Sequence, residues 1–138
     1  MGAELKPDVE PDVSKPKGLA SLIRSFHFAF DGIVCLLRTQ RNARIELAIG
    51  GAVCIGAAWL RVSRVEWSVL TLTIACVLIL EGLNTAIEAA VDLVSPEIHP
   101  LAKRAKDLAA AMVLIASVVS IIVGLLILGP PLWHKFFN

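Results

Sequence analysis

The sequence predicts an all-α membrane protein, with an N-terminal amphipathic helix in the membrane interface and three transmembrane helices after it. Three observations predict this. The 138 residues are 57% hydrophobic and only 18% charged, below the quarter typical of soluble domains, and the mean hydropathy is +0.75. Two long runs, Trp67–Leu80 and Leu108–Trp133, carry no charge. Within the second, the 22 residues of Leu108–Gly129 reach roughly 33 Å as a helix, against a hydrocarbon core of about 30 Å. Thirteen basic and twelve acidic side chains leave a net charge of +1, a balance that argues against a nucleic-acid partner.

Residues 1–17 are polar and hold Pro7, Pro11 and Pro16, the composition of a flexible tail rather than of a signal peptide. Residues 18–138 read as a single membrane domain. Over about 18–40, Leu19, Leu22, Ile23, Phe26, Phe30, Ile33, Val34 and Leu37 recur at three and four while Arg24, His27, Asp31 and Arg38 fall largely elsewhere, which predicts an amphipathic helix. Such a helix can sink its apolar side into the cytoplasmic headgroup boundary. Packing against the bundle is the alternative. The first span, about 44–60, is short but has Arg44, Trp59 and Arg61 as interfacial anchors. Gly50, Gly51 and Gly56 sit there among small neighbours, as expected for close helix packing. No GxxxxGK[ST] run exists to cradle a phosphate. Cys35, Cys54 and Cys76 are widely spaced among apolar residues and read as buried thiols.

The second span, about 66–93, opens with Ser63 and Glu66 at capping-box spacing. Its apolar run gives way to Glu81, Asn84, Glu88 and Asp92, at offsets that place all four on one polar stripe about 80° wide. With Trp67 near the outer boundary, Glu81 lies roughly 21 Å inward, approaching the cytoplasmic interface. Ser95-Pro96-Glu97 and His99-Pro100 then break the chain. The third span, about 100–129, carries Lys103, Lys106 and Asp107 before its uncharged run, which sets Lys106 and Asp107 at the level of Glu81. Pro130 and Pro131 are expected to end it. Ten of the thirteen Lys and Arg residues precede the first span or lie between the second and third, so the positive-inside rule puts the N-terminus and second loop in the cytoplasm.

Carboxylates and an amide on one helix, facing a lysine and an aspartate from the next at the water boundary, suit a divalent cation together with a polyphosphate. Polar packing between helices is the bland alternative, although ionisable groups inside a membrane are costly and usually functional. Glu46 stands close enough to a helix end to reach water, and the same two alternatives hold for it. His27, His99 and His134 have no paired nucleophile at any recognisable spacing; His99 lies in the cytoplasmic turn, where it can touch a ligand.

The run E-G-L-N-T-A-I-E-A-A-V-D-L-V-S-P-E-I-H-P-L-A-K-R-A-K-D, Glu81 to Asp107, closely resembles the signature of the prokaryotic integral-membrane diacylglycerol kinase and undecaprenol kinase family. The likeness extends more weakly through Ser25-Phe26, Ala29, Gly32 and Thr39 to Arg44. The resemblance implies a homotrimer of three-span subunits in the bacterial cytoplasmic membrane that uses Mg2+ and ATP to phosphorylate a lipid hydroxyl. By position it implies that Glu81 is the general base with Asn84 its neighbour, that Glu88 is a metal ligand, and that Lys106 and Asp107 contact the nucleotide. Glu97 and His99 fall in the stretch that helps hold the nucleotide, and Phe28 lies where the surface helix approaches it. Gln40 stands where the family has a second metal-binding glutamate, and an amide oxygen is a weaker, uncharged ligand. Glu46 is a less well placed substitute. The forms T-Q-R-N-A-R-I-E, S-P-E-I-H-P-L-A-K and G-L-L-I-L-G-P-P resemble members that favour undecaprenol over diacylglycerol. The rival from another class is a small non-enzymatic transporter or scaffold whose acidic stripe relays protons or joins helices.

Overall fold

The computed structural model describes residues 18–95 and 99–137; the predicted tail and Glu97 lie outside the described residues. Regular structure among them is entirely helical: α1 (Leu19–Thr39), α2 (Arg41–Leu60), α3 (Arg64–Val94) and α4 (Pro100–Phe137). All four helices are long and apolar enough to cross a membrane, α1 included, so length and composition alone do not separate an interfacial helix from a span. The chain divides into two compact units, one ending at Val34 and the other beginning at Cys35.

In the first unit α1 buries no residue. Phe26, Phe28, Phe30 and Ile33 are all exposed, and the polar contacts are local: Ser25 Oγ donates to the Ser21 carbonyl at 3.0 Å, and His27 stands 3.7 Å from Asp31 one turn on.

The second unit starts with the last turn of α1, ended by Gln40, whose extended backbone (φ −99°, ψ 117°) redirects the chain into α2. At the other end of α2, Arg61 takes a left-handed conformation (φ 55°), and the Arg61 and Val62 N–H groups donate to the Ala58 and Ala57 carbonyls, both at 3.2 Å. This is the Schellman ending of a helix. One residue later the expected capping box forms: the Glu66 N–H donates to Ser63 Oγ at 3.3 Å and the Ser63 N–H to Glu66 Oε2 at 2.7 Å. Helix reversal at this turn therefore rests on backbone groups satisfied within a few residues.

Small residues let the helices approach. A Cβ on Gly50 would stand 2.9 Å from Ile74 Cγ2, so glycine is what permits the α2–α3 contact there. Gly51 and Gly56 have open space where a Cβ would be, so close packing applies to Gly50 and not to its two neighbours. α3 and α4 run antiparallel. Asp92 meets Lys106 at one end, while Ile74 with Gly124 and Leu70 with Leu128 line one shared cavity further along. Among the described residues, the buried ones are Ala43, Gly50, Ala57, Leu70, Val77, Ala109 and Glu81, all in this unit. Most large apolar side chains point outward, as expected of a chain whose solvent is lipid.

Two expectations are corrected. Cys35 and Cys76 are exposed and Cys54 is half-buried, because apolar neighbours in a membrane chain mark lipid-facing surface as readily as core. Pro130 and Pro131 do not end α4, which continues to Phe137. Each proline removes one backbone donor, yet the last turns gain tertiary anchorage. Phe136 packs 6.1 Å from Trp59 of α2 and Lys135 Nζ lies 3.8 Å from the centroid of the Trp59 ring, while within α4 Trp133 stacks on Phe137 at 4.4 Å.

Candidate functional site

α3 delivers the polar stripe as a continuous helical face. Glu81 is 2% exposed, a carboxyl inserted where the helix is otherwise apolar. One turn on, Asn84 Nδ2 donates to Glu88 Oε1 at 3.1 Å, and Thr85 Oγ1 donates to the Glu81 backbone carbonyl at 3.0 Å. The Asn84 amide is thereby oriented: its nitrogen faces Glu88, and its buried oxygen has no hydrogen-bond partner among the described residues. At the end of the stripe, Asp92 Oδ1 accepts from Lys106 Nζ at 2.6 Å.

α2 contributes more than the sequence indicated. With Gly50 opposite Ile74, the antiparallel register brings Glu46, Ala43 and Gln40 in turn toward the levels of Leu78, Glu81 and Asn84. Glu46 lines a cavity of about 400 Å³ between α2, α3 and α4, otherwise lined mainly by apolar side chains such as Ile49, Val53 and Val77. Its Oε2 is buried without a hydrogen-bond partner among the described residues. The sequence signal for Glu46 was a lone acid inside a predicted span; only the register shows that it stands within a helical turn of the level of Glu81. Gln40 sits at the α1–α2 corner, where its side chain makes no capping hydrogen bond.

Lys106 and Asp107 are not at the level of Glu81. Extending the α3–α4 register from the Asp92–Lys106 pair sets Glu88 beside Ala110 and Glu81 beside Ser117. Lys106 thus stands roughly 16 Å along the axis from Glu81. The reason is the early start of α4 at Pro100, which aligns its first turns with the last turns of α3. Asp107 pairs instead with Lys103 on its own helix at 2.6 Å. His99 Nδ1 accepts from the Leu101 N–H at 3.2 Å, satisfying a donor that the helix start leaves open. Phe28 belongs to the first unit and is exposed on α1.

No group of three or more His, Cys, Asp or Glu among the described residues is arranged to hold a metal. The available donors, the Glu46 and Asn84 oxygens and the carboxylates of Glu81 and Glu88, are hard oxygen ligands. They suit Mg2+, which is commonly held by one or two carboxylates with phosphate and water completing the shell. What the arrangement offers is a buried carboxyl at one end, a lysine at the other, and oriented oxygen ligands between them.

Residues 27–128 match the prokaryotic diacylglycerol kinase family. A Synechocystis protein named diacylglycerol kinase is 46% identical over 113 residues, covering 81% of this chain and 65% of the relative; the chain spans just under two thirds of that protein's length. A Bacillus subtilis protein named undecaprenol kinase is 44% identical over 114 residues, 83% of this chain and 93% of the relative. The Escherichia coli K12 diacylglycerol kinase is 36% identical over 120 residues, 86% of this chain and 94% of the relative.

Proposed function

The chain belongs to the prokaryotic diacylglycerol kinase family; from that premise we propose that it is a membrane-embedded lipid kinase, moving the γ-phosphate of ATP to the hydroxyl of undecaprenol at the cytoplasmic face of the bacterial inner membrane. The observation that carries the reading is the burial of Glu81 on the same helical face as Asn84, Glu88 and Asp92.

An amphiphilic alcohol positions itself, because its tail stays in hydrocarbon while its hydroxyl rides at headgroup level. Glu81 accepts the hydroxyl proton as the oxygen attacks phosphorus, and a base buried in apolar surroundings is suited to that exchange. Asn84, held by Glu88, presents its carbonyl oxygen to the same space. Glu88 and Asn84, with Gln40 as a weaker neutral ligand, would hold Mg2+, which neutralises phosphate charge when bound. Lys106 and Asp107, with His99, contact the nucleotide; Glu97 and Phe28 are assigned to it on the family resemblance alone. Roughly 16 Å along the axis separates Lys106 from Glu81 of the same chain, more than a triphosphate spans, which fits a site completed by a second subunit. A single chain leaves much of the site unwalled, so we assign the working form as a homotrimer with sites shared between subunits, α1 lying in the cytoplasmic interface and the N-terminus inside.

Undecaprenol is preferred over diacylglycerol on the form of the motifs around Gln40, His99 and Gly129. Diacylglycerol is the second reading, favoured by the names of the Synechocystis and Escherichia coli proteins. The purified chain in lipid bicelles, given Mg-ATP and each alcohol in turn, should phosphorylate undecaprenol with the higher kcat/KM. Absence of phosphorylated product from either lipid would sink the reading, and preference for diacylglycerol would replace the substrate.

A further inference from the structure

Two ion pairs stand at the start of α4, and they differ in kind. Lys103–Asp107 joins residues one turn apart on a single helix, with both side chains well exposed. Lys106–Asp92 crosses from α4 to α3 at 2.6 Å, and its lysine is 34% exposed against 65% for the aspartate. The second pair is therefore a tertiary contact that fixes where one ammonium group sits.

Asp92 lies one turn beyond Glu88 on the same polar stripe, about 6 Å along the axis. By taking Lys106 Nζ, it draws the ammonium off the α4 surface and onto the polar side of α3, one turn beyond Glu88. An ammonium has three N–H donors. One goes to Asp92 and two stay available for phosphate oxygens, so pairing and phosphate binding are compatible. Lysine is also among the side chains that lose most rotamer freedom on being fixed, a loss that Asp92 imposes before nucleotide arrives.

We propose that Asp92 is a positioning residue for the nucleotide: it holds Lys106 on the α3 face in the orientation that receives phosphate oxygens of ATP. This rests on the assignment of Lys106 as a phosphate contact. A structural role for the same pair makes a different forecast. A partly exposed ion pair contributes little to stability, so its loss should leave folding nearly untouched, whereas loss of preorganisation weakens binding of the group that Lys106 receives.

The test is steady-state kinetics of the full chain in bicelles, varying Mg-ATP at saturating lipid alcohol and then the reverse, with thermal unfolding measured alongside. Asp92→Asn should raise the KM for Mg-ATP about three- to tenfold, with a much smaller change in kcat and none in the KM for lipid. Asp92→Glu, which keeps the charge, should recover most of the loss. In a Lys106→Met background, Asp92→Asn should add nothing, because the two act through one contact. If Asp92→Asn fails to assemble, Asp92→Ser carries the same comparison. A Mg-ATP KM unchanged in the Asp92 variants while Lys106→Met raises it overturns the positioning role alone. So does a fall in thermal stability with the KM unmoved. A KM unmoved by Lys106→Met itself overturns the assignment of Lys106 as well.

Discussion

The two ends of α4 are fastened by opposite chemistry. At its start the helix is tied to α3 by the Lys106–Asp92 ion pair, with Lys103–Asp107 alongside, contacts that water and salt weaken and that an arriving phosphate can share. At its finish the helix is tied to α2 by Phe136 and Lys135 against Trp59, with Trp133 stacked on Phe137. Those contacts rest on ring area and on the quadrupole of an indole face. The contrast assigns different work to each end. The charged end is built from groups that can exchange partners, as nucleotide binding requires. The aromatic end holds the bundle closed through two prolines that should otherwise have stopped the helix.

Substitutions can break this division of labour or sharpen it. The largest effect is expected from Glu81→Gln, which keeps the shape of the side chain but removes its capacity as a base: turnover of lipid alcohol should fall by about 10²–10⁴-fold with the thermal midpoint and oligomeric state preserved, measured by product formation and by size in detergent. Activity close to that of the parent would refute the base assignment. Next comes Glu88→Gln, which removes a charged oxygen ligand and the acceptor of the Asn84 amide; the Mg2+ concentration for half-maximal activity should rise about tenfold or more, and an unchanged magnesium titration would count against Glu88 as a ligand.

At the opposite end the expected losses are in stability and leave the Mg-ATP KM where it was. Trp59→Ala removes both the ring beneath Lys135 and the partner of Phe136, and should lower unfolding free energy in detergent by about 1–2 kcal/mol. A shifted nucleotide KM in this variant would dissolve the distinction between the two ends. The smallest change is Ser63→Ala at the capping box of α3, with an expected cost of about 1 kcal/mol and no kinetic consequence, read from the same unfolding curves.

The four helices, the capping box and the polar stripe were all legible in the residues. Glu81, Asn84, Glu88 and Asp92 share a face because spacings of three and four return to the same azimuth on any α-helix, and no partner is needed to see that. The cysteines misled because hydrophobic surroundings signal core and lipid alike. The prolines misled because their local cost was visible while the rings that hold α4 beyond them belonged to residues more than seventy positions apart in one case, Trp59 and Phe136. Glu46 was undervalued for a related reason: as an isolated acid it has no pattern, and only Gly50 against Ile74 sets the register that brings it within a helical turn of the level of Glu81.

By itself, the sequence determined that this is a helical membrane chain with one helix carrying acids and an amide on a single side, since hydropathy and periodicity are properties of consecutive residues. Which acid takes Lys106 was decided only in three dimensions. The antiparallel packing of α4 on α3 sets their axial register, and that register gives the lysine to Asp92 rather than leaving it level with Glu81. Helix formation is governed by neighbours within a turn or two, whereas pairing between helices depends on packing that no local pattern encodes.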